Sequence, residues 1–284
     1  MHEAAIRTLE VRVAELTFEV DVAGAAGRPL VLMLHGFPCS SYSYRHELPA
    51  LARAGYLAVA PNQRGYSPGA RPAAIADYAT RALMDDALAI ARACGGERFH
   101  LVGHDWGGQL SWLLASAEPR RIASLCVLSR PHPRAFSASF KSDAAQAERS
   151  RHHSAYDDPN TATLLLADDG RRLRRNLMSQ GISAADSEVY MKRLVQPGAL
   201  DGAINWYRAA RSGERVHAGA IEAPTLYVWG DADNAVGRTA AEATAQHVTG
   251  PYRFEAIAGG MHAPTDQLGE QVTQLILTHV AAHS

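Results

Sequence analysis

Charge of one sign is missing from this sequence, in which 28 lysines and arginines face 29 aspartates and glutamates for a formal net charge of -1. Such a balance gives no field for holding a phosphate backbone or an anionic membrane surface, so neither nucleic acid nor membrane is expected as a partner. Cysteine is scarce as well. Cys39, Cys94 and Cys126 are too few for a disulfide framework and have no metal-ligand spacing, so they read as small buried side chains in a reducing compartment, with no metal expected. No apolar run approaches the ~18 residues that spanning a bilayer requires. The first residues carry charges throughout, where a signal peptide would have a basic start and an apolar stretch, so a cytoplasmic location is expected. Repeats and low-complexity tracts are absent too. What is present is ordinary globular usage, 47% hydrophobic and 20% charged over 284 residues, enough to build a large core.

Short apolar runs alternate with longer segments of helical period, which predicts parallel strands joined by crossover helices in an α/β fold. Strands are expected at Leu30 to His35, Tyr56 to Pro61, Phe99 to His104, Ala123 to Ser129 and Pro224 to Gly230, each apolar enough to be covered on both faces. Val11 to Val22 alternates apolar and polar residues, as an antiparallel edge strand or hairpin would. Helices are expected around Ala76 to Cys94, Gly107 to Ala117 and Asp266 to Ala282. From Pro131 to about Gly219 no strand-like run occurs and apolar positions recur at helical spacing, so a helical cap (131–219) is expected to interrupt a core formed by 1–130 and 220–284. The basic cluster Arg171, Arg172, Arg174 and Arg175 in that segment reads as a solvated helix face.

The segment GHDWGG, Gly103 to Gly108, joins a strand candidate to a helix candidate with the spacing of a nucleophile elbow, here Gly103, x, Asp105, x, Gly107. Small residues flank the central one because the chain turns sharply and strand and helix pass closely. A helix N-terminus favours an ionised carboxylate and presents backbone N–H groups beside it, both of which a nucleophilic carboxylate needs. A plain N-cap is the other reading of Asp105. In an elbow hydrolase the acid and the histidine follow in that order, each beyond a later strand. Asp231 and Asp233 follow the PTLYVWG strand, and His262 follows YRFEAIAGG, whereas His247 and His279 fall in helix-like segments. The order and placement favour a triad over three unrelated loop residues.

The sequence resembles the α/β-hydrolase-fold epoxide hydrolases, with haloalkane dehalogenases as near relatives. The resemblance runs from about Leu30 to the C-terminal helix and rests on HGFP (His35 to Pro38), NQRGYSPG (Asn62 to Gly69), GHDWGG, PHPRAF (Pro131 to Phe136), NWYR (Asn205 to Arg208) and the late Asp and His. It implies a mostly parallel sheet with helices on both faces under an inserted helical cap, and an oxyanion hole of the Phe37 and Trp106 amides. It selects Asp233 over Asp231, three residues beyond the glycine ending the strand. It implies Tyr207 as one cap acid and places the other in SRHHSAYDDP, at His152 in the favoured register, with His153 and Tyr156 as the other choices. His35, Pro38, Tyr156 and Trp206 are implied as substrate-binding. No cofactor is implied, the substrate is a small apolar epoxide, and the assembly is a monomer or homodimer.

The nucleophile narrows the chemistry further. A serine that attacked an sp3 carbon would be left as an ether that histidine and water could not cleave, whereas a carboxylate becomes a hydrolysable ester. Epoxide opening to a vicinal diol, with Asp105 alkylated and His262 activating water, is therefore expected. Trp106 is compatible with halide binding, so a haloalkane dehalogenase is the alternative, although Phe37 lacks the polar side chain that a dehalogenase has there. Arginines of the fluoroacetate type are replaced by Trp106 and Gln109. A receptor that has lost turnover is a third reading, opposed by the intact Asp105, Asp233 and His262.

Overall fold

The computed structural model describes residues 4–212 and 216–284, with the side chains of 152–154 outside the described residues. Among them the strands are β1 (Arg7–Val13), β2 (Leu16–Ala23), β3 (Leu30–Leu34), β4 (Leu57–Pro61), β5 (Phe99–His104), β6 (Ile122–Leu128), β7 (Thr225–Gly230) and β8 (Tyr252–Ile257). They form a single sheet in the order β1-β2-β4-β3-β5-β6-β7-β8, in which β1 and β2 form an antiparallel hairpin and β3 through β8 run parallel. The fold is the expected α/β-hydrolase architecture. β3, β4, β5, β6 and β7 are buried along their whole length, and their unbroken apolar runs are what a sheet covered on both faces requires.

Side chains leave the sheet alternately. Leu30, Leu32 and Leu34 of β3 join one apolar cluster, and Val31 and Met33 join the other. The first cluster is closed by α2 (Thr80–Ala93) and α3 (Trp106–Ala117); the second is closed by α1 (Glu47–Arg53) and, after the short α10 (Pro264–Gln267), by α11 (Gly269–Ala281). Between β6 and β7 the described residues are helical: α4 (Pro133–Ser142), α5 (Ala144–Arg149), α6 (Thr161–Ser179), α7 (Ala184–Leu194) and α8 (Ala199–Ser212), while α9 (Arg238–Ala243) follows β7. Leu173, Leu177, Tyr190 and Ile204 of this segment belong to the same cluster as α2 and α3, so the segment is packed onto the core.

The chain leaves β3 for β4 on one side, and β5 lies on the other, paired with Leu34 opposite Gly103. A reversal of strand order opens a crevice beyond the carboxyl ends of those two strands. Phe37 follows β3 and Asp105 follows β5, so both enter that crevice.

Candidate active site

β5 ends at His104 and α3 begins at Trp106, so Asp105 makes the whole turn, with φ 47° and ψ -112°. An L-residue held there stores on the order of 1–3 kcal/mol, which the surrounding packing must impose. The two glycines allow it. A Cβ on Gly107 would meet the Leu34 carbonyl, and one on Gly103 the Ser111 hydroxyl and the Gly107 carbonyl. Asp105 makes no side-chain capping bond to α3; instead its Oδ1 accepts from the Phe37 N–H at 2.9 Å. The Trp106 amide stands at the first helical position of α3, where a backbone N–H has no intrahelical acceptor.

Oδ2 of Asp105 lies 3.6 Å from His262 Nε2, and the Nδ1 side of the same ring contacts Asp233 Oδ1 at 3.0 Å and Oδ2 at 2.9 Å. Asp233 is itself fixed, because its Oδ1 accepts from the amides of Ala235 (2.7 Å) and Val236 (3.0 Å). Asp231 is exposed and caps the Gly259 amide at 2.7 Å, a turn role. Burial opposes an imidazolium at His262, but the carboxylates on either side outweigh it and push its pKa well up. Burial likewise opposes an Asp105 anion, and the adjoining His262 overcomes it, with help from Arg130, so the carboxyl lies well below its usual range.

Over this pair lies a cavity of about 490 Å3, whose walls include Asp105, His262, Phe37, Tyr156, Tyr207 and Leu165. The Tyr156 and Tyr207 ring centroids are 4.6 Å apart, and both stand over Phe37, at 5.5 and 5.2 Å. Burial first, then the Asp105 charge, raises both phenols above their ordinary value, so both keep their protons. Tyr156 thus lies beside Tyr207. The His152 and His153 side chains lie outside the described residues.

With this geometry the known proteins can be compared. The profile described as alpha/beta hydrolase fold matches residues 29–266. The chain is 32% identical over 264 residues to mouse "Epoxide hydrolase 4", covering 89% of this chain and 73% of that protein. It belongs to the α/β-hydrolase fold family and groups with its epoxide hydrolases. "Epoxide hydrolase A" of Mycobacterium tuberculosis is 30% identical over 298 residues, covering 90% of this chain and 91% of that one. The crystal structure of Epoxide Hydrolase A from Mycobacterium thermoresistibile superposes with a TM-score of 0.87 at 26% identity, over 99% of both chains.

In this α/β-hydrolase three of the residues expected in the pocket stand behind it. His35 accepts the Gln63 amide at Nε2 (3.2 Å) and contacts the Gly36 carbonyl through Nδ1 (3.0 Å), while burial lowers its pKa to about 3, so it is a neutral pin for the loop that carries Phe37. Pro38 is buried behind Phe37. Trp206 donates to the Arg64 carbonyl at 2.8 Å and meets Trp106 edge to face, 6.0 Å between centroids. None of the three is among the cavity walls. Trp106 directs its side chain to the Tyr207 hydroxyl as a hydrogen-bond partner.

Two supporting residues were not singled out from the sequence. His104, the variable position of the elbow, holds the His262 carbonyl through Nε2 at 2.7 Å, and burial keeps it neutral, at about 4. Gln146 of α5 donates to the Ala235 carbonyl at 2.8 Å and accepts from the Gly237 amide at 2.8 Å, bracing the Asp233 loop. The elbow spacing marks position 104 but not its chemistry, and nothing in the pattern marks Gln146.

Proposed function

We propose that the chain hydrolyses epoxides to vicinal diols through an ester on Asp105, with residues 131–219 as a cap over a core of 1–130 and 220–284. The carrying observation is the Asp105 carboxylate, one oxygen on the Phe37 amide at 2.9 Å and the other 3.6 Å from His262, facing two adjacent tyrosines. Oδ2, which no amide holds among the described residues, attacks the less hindered epoxide carbon, and the carbon–oxygen bond breaks as a proton from Tyr156 or Tyr207 reaches the departing oxygen. His152 and His153 lie outside this assignment, which gives their expected role to Tyr156.

The proton balance follows from the charges. At rest Asp105 and Asp233 are anions around an imidazolium. Opening moves one tyrosine proton to the epoxide oxygen and removes the Asp105 charge; the hold on the His262 proton weakens, that proton passes to the tyrosinate and restores the phenol, and the neutral imidazole becomes a base for water. Hydroxide adds to the ester carbonyl, the Phe37 and Trp106 amides bind the oxyanion, and collapse returns the Asp105 anion, the diol and a protonated His262. The relatives named epoxide hydrolases support this reading, and the three free cysteines fit a cytoplasmic setting.

Intact-mass measurement of His262→Gln, mixed separately with an aryl epoxide and a bromoalkane, tests it. An adduct of the full epoxide mass on Asp105 is expected. An adduct from the bromoalkane alone, with bromide lost, transfers the assignment to dehalogenation, and no adduct with either favours a receptor without turnover.

A further inference from the structure

We propose that Arg130 anchors a carboxylate on the substrate, so that the cavity selects epoxides bearing an acid group. The inference rests on the reading of this cavity as an epoxide hydrolase site and adds a charge to a substrate otherwise expected to be apolar.

Arg130 reaches the cavity because β6 ends in a turn. Ser129 takes a left-handed φ of 52° while its amide donates to the Val228 carbonyl at 2.9 Å, and the next residue lines the same cavity as Asp105, Tyr207 and His262. Its guanidinium lies 4.4 Å from the Phe136 ring centroid and 5.9 Å from that of Trp106. Aromatic contact at the face of a guanidinium leaves its in-plane N–H groups for hydrogen bonding. Nε and Nη2 both donate to one neutral acceptor, Gln109 Oε1, at 3.0 and 2.9 Å. Of five N–H groups, this uses two.

The other well-covered arginines are neutralised. Arg64 pairs with Asp86 at 2.7 Å and Arg45 with Asp266 at 2.7 Å. Among the described residues no carboxylate forms an ion pair with Arg130, and burial lowers its pKa. A half-buried cation with a neutral partner and no paired carboxylate carries part of the desolvation cost of a buried charge, and that cost falls when an anion enters. Asp105 balances it electrostatically at rest, but that charge disappears once Asp105 is alkylated. A substrate carboxylate would keep Arg130 neutralised through the ester stage. The fork of a guanidinium matches a carboxylate in two parallel hydrogen bonds, which points to a carboxylic acid as the class.

The test uses a terminal epoxyalkanoic acid, its methyl ester and the epoxyalkane of equal length. The wild type is expected to favour the acid over the ester in kcat/KM by at least about ten-fold, the scale of one charge-assisted pair. Arg130→Gln should lower that acid-to-ester ratio about ten-fold, and Arg130→Lys should restore part of it. An unchanged ratio, or equal losses on both substrates, would make Arg130 a counter-charge for Asp105 and overturn the anchor. A wild type that opens the neutral epoxides without preferring the acid sinks the anchor and leaves the epoxide reading standing. If no epoxide is opened, the epoxide reading has failed, and calorimetry then decides the anchor. An alkanoate should bind wild type about ten-fold tighter than the matching alkanamide, with the gap closed in Arg130→Gln; equal binding overturns it, and the wild-type comparison decides even if the variant does not fold.

Discussion

Asp105 must be an anion when it attacks, and its neighbours decide whether it is. Burial alone would raise its pKa, and the adjoining His262, aided by Arg130, reverses that. The alkylation rate of the wild type, measured by rapid mixing, should therefore stay level from about pH 8 to about pH 5, above the depressed carboxyl pKa. In His262→Gln, where the nearest cationic group is gone, the rate should fall in that same window as the carboxyl takes up a proton. The tyrosines act on the same step from the other side. Tyr156→Phe and Tyr207→Phe should each slow alkylation by roughly 10–100-fold, the scale of one general acid, and leave hydrolysis of a preformed ester near its wild-type rate. Stopped-flow separation of the two steps checks this, and an equal loss in both would make the phenols structural. Sequence spacing is enough to find Asp105, because few residue types tolerate an elbow and glycines must surround it. Tyr156 is harder to find, because it lies in a short 3-10 turn, Arg151–Asp157, where no period says which side chain faces inward.

α8 shows how one short element sets the geometry of the acid pair. Trp206 ties the helix to the Arg64 carbonyl, Tyr207 enters the cavity, and Arg208 donates through Nε to the Tyr156 carbonyl at 2.9 Å and through Nη2 to the Asp158 carbonyl at 3.0 Å. Arg208→Ala should loosen Tyr156 while leaving the triad in place. Alkylation is expected to slow about ten-fold, ester hydrolysis to change little, and Tyr156→Phe to cost less in the Arg208→Ala background than alone, as coupled residues do. Additive losses in that double-mutant cycle would refute the tether. At this scale the buried strands were legible, since an uninterrupted apolar run fits few other roles. The breaks were not. Asp168, Asp169 and Gly170 all adopt left-handed backbone within α6, and Leu268, at φ -130° and ψ 38°, separates α10 from α11 where a single helix was expected from Asp266. At 168–170 the break is local, since two exposed aspartates and a glycine are residue types that take left-handed backbone readily, but apolar spacing alone does not register it. α1 is seven residues long, too short for its period to register against the loop around it.

The whole molecule couples its stability to pH through a buried carboxyl far from the chemistry. Glu47 opens α1 with no exposed surface, its Oε1 accepts from Thr273 Oγ1 of α11 at 3.0 Å, and its Oε2 has no hydrogen-bond partner among the described residues. Burial raises its pKa from 4.5 to about 8. Below about pH 4.5 the group is protonated whether the chain is folded or not, and its contribution to stability is fully present. As pH rises toward 8 the unfolded chain ionises while the folded protein still holds the proton, so stability is lost across that interval and levels off above it. Neutral buried histidines act in the opposite sense at the acid end, as at His104, lowered to about 4, whose loss of stability comes as pH falls below about 6.5. A comparison of wild type with Glu47→Gln, an uncharged mimic of the protonated acid, isolates the alkaline side. The two proteins should melt alike near pH 4, and the variant should gain as pH rises until the gap levels off near pH 8.5. A ten-fold difference in proton affinity between folded and unfolded chain is worth roughly 1.4 kcal/mol, and each kcal/mol moves the melting midpoint by about 2–4 °C, so the gap should reach several degrees. A gap that is the same at pH 4 and pH 8.5 would mean that Glu47 ionises as readily between α1 and α11 as it does in the unfolded chain.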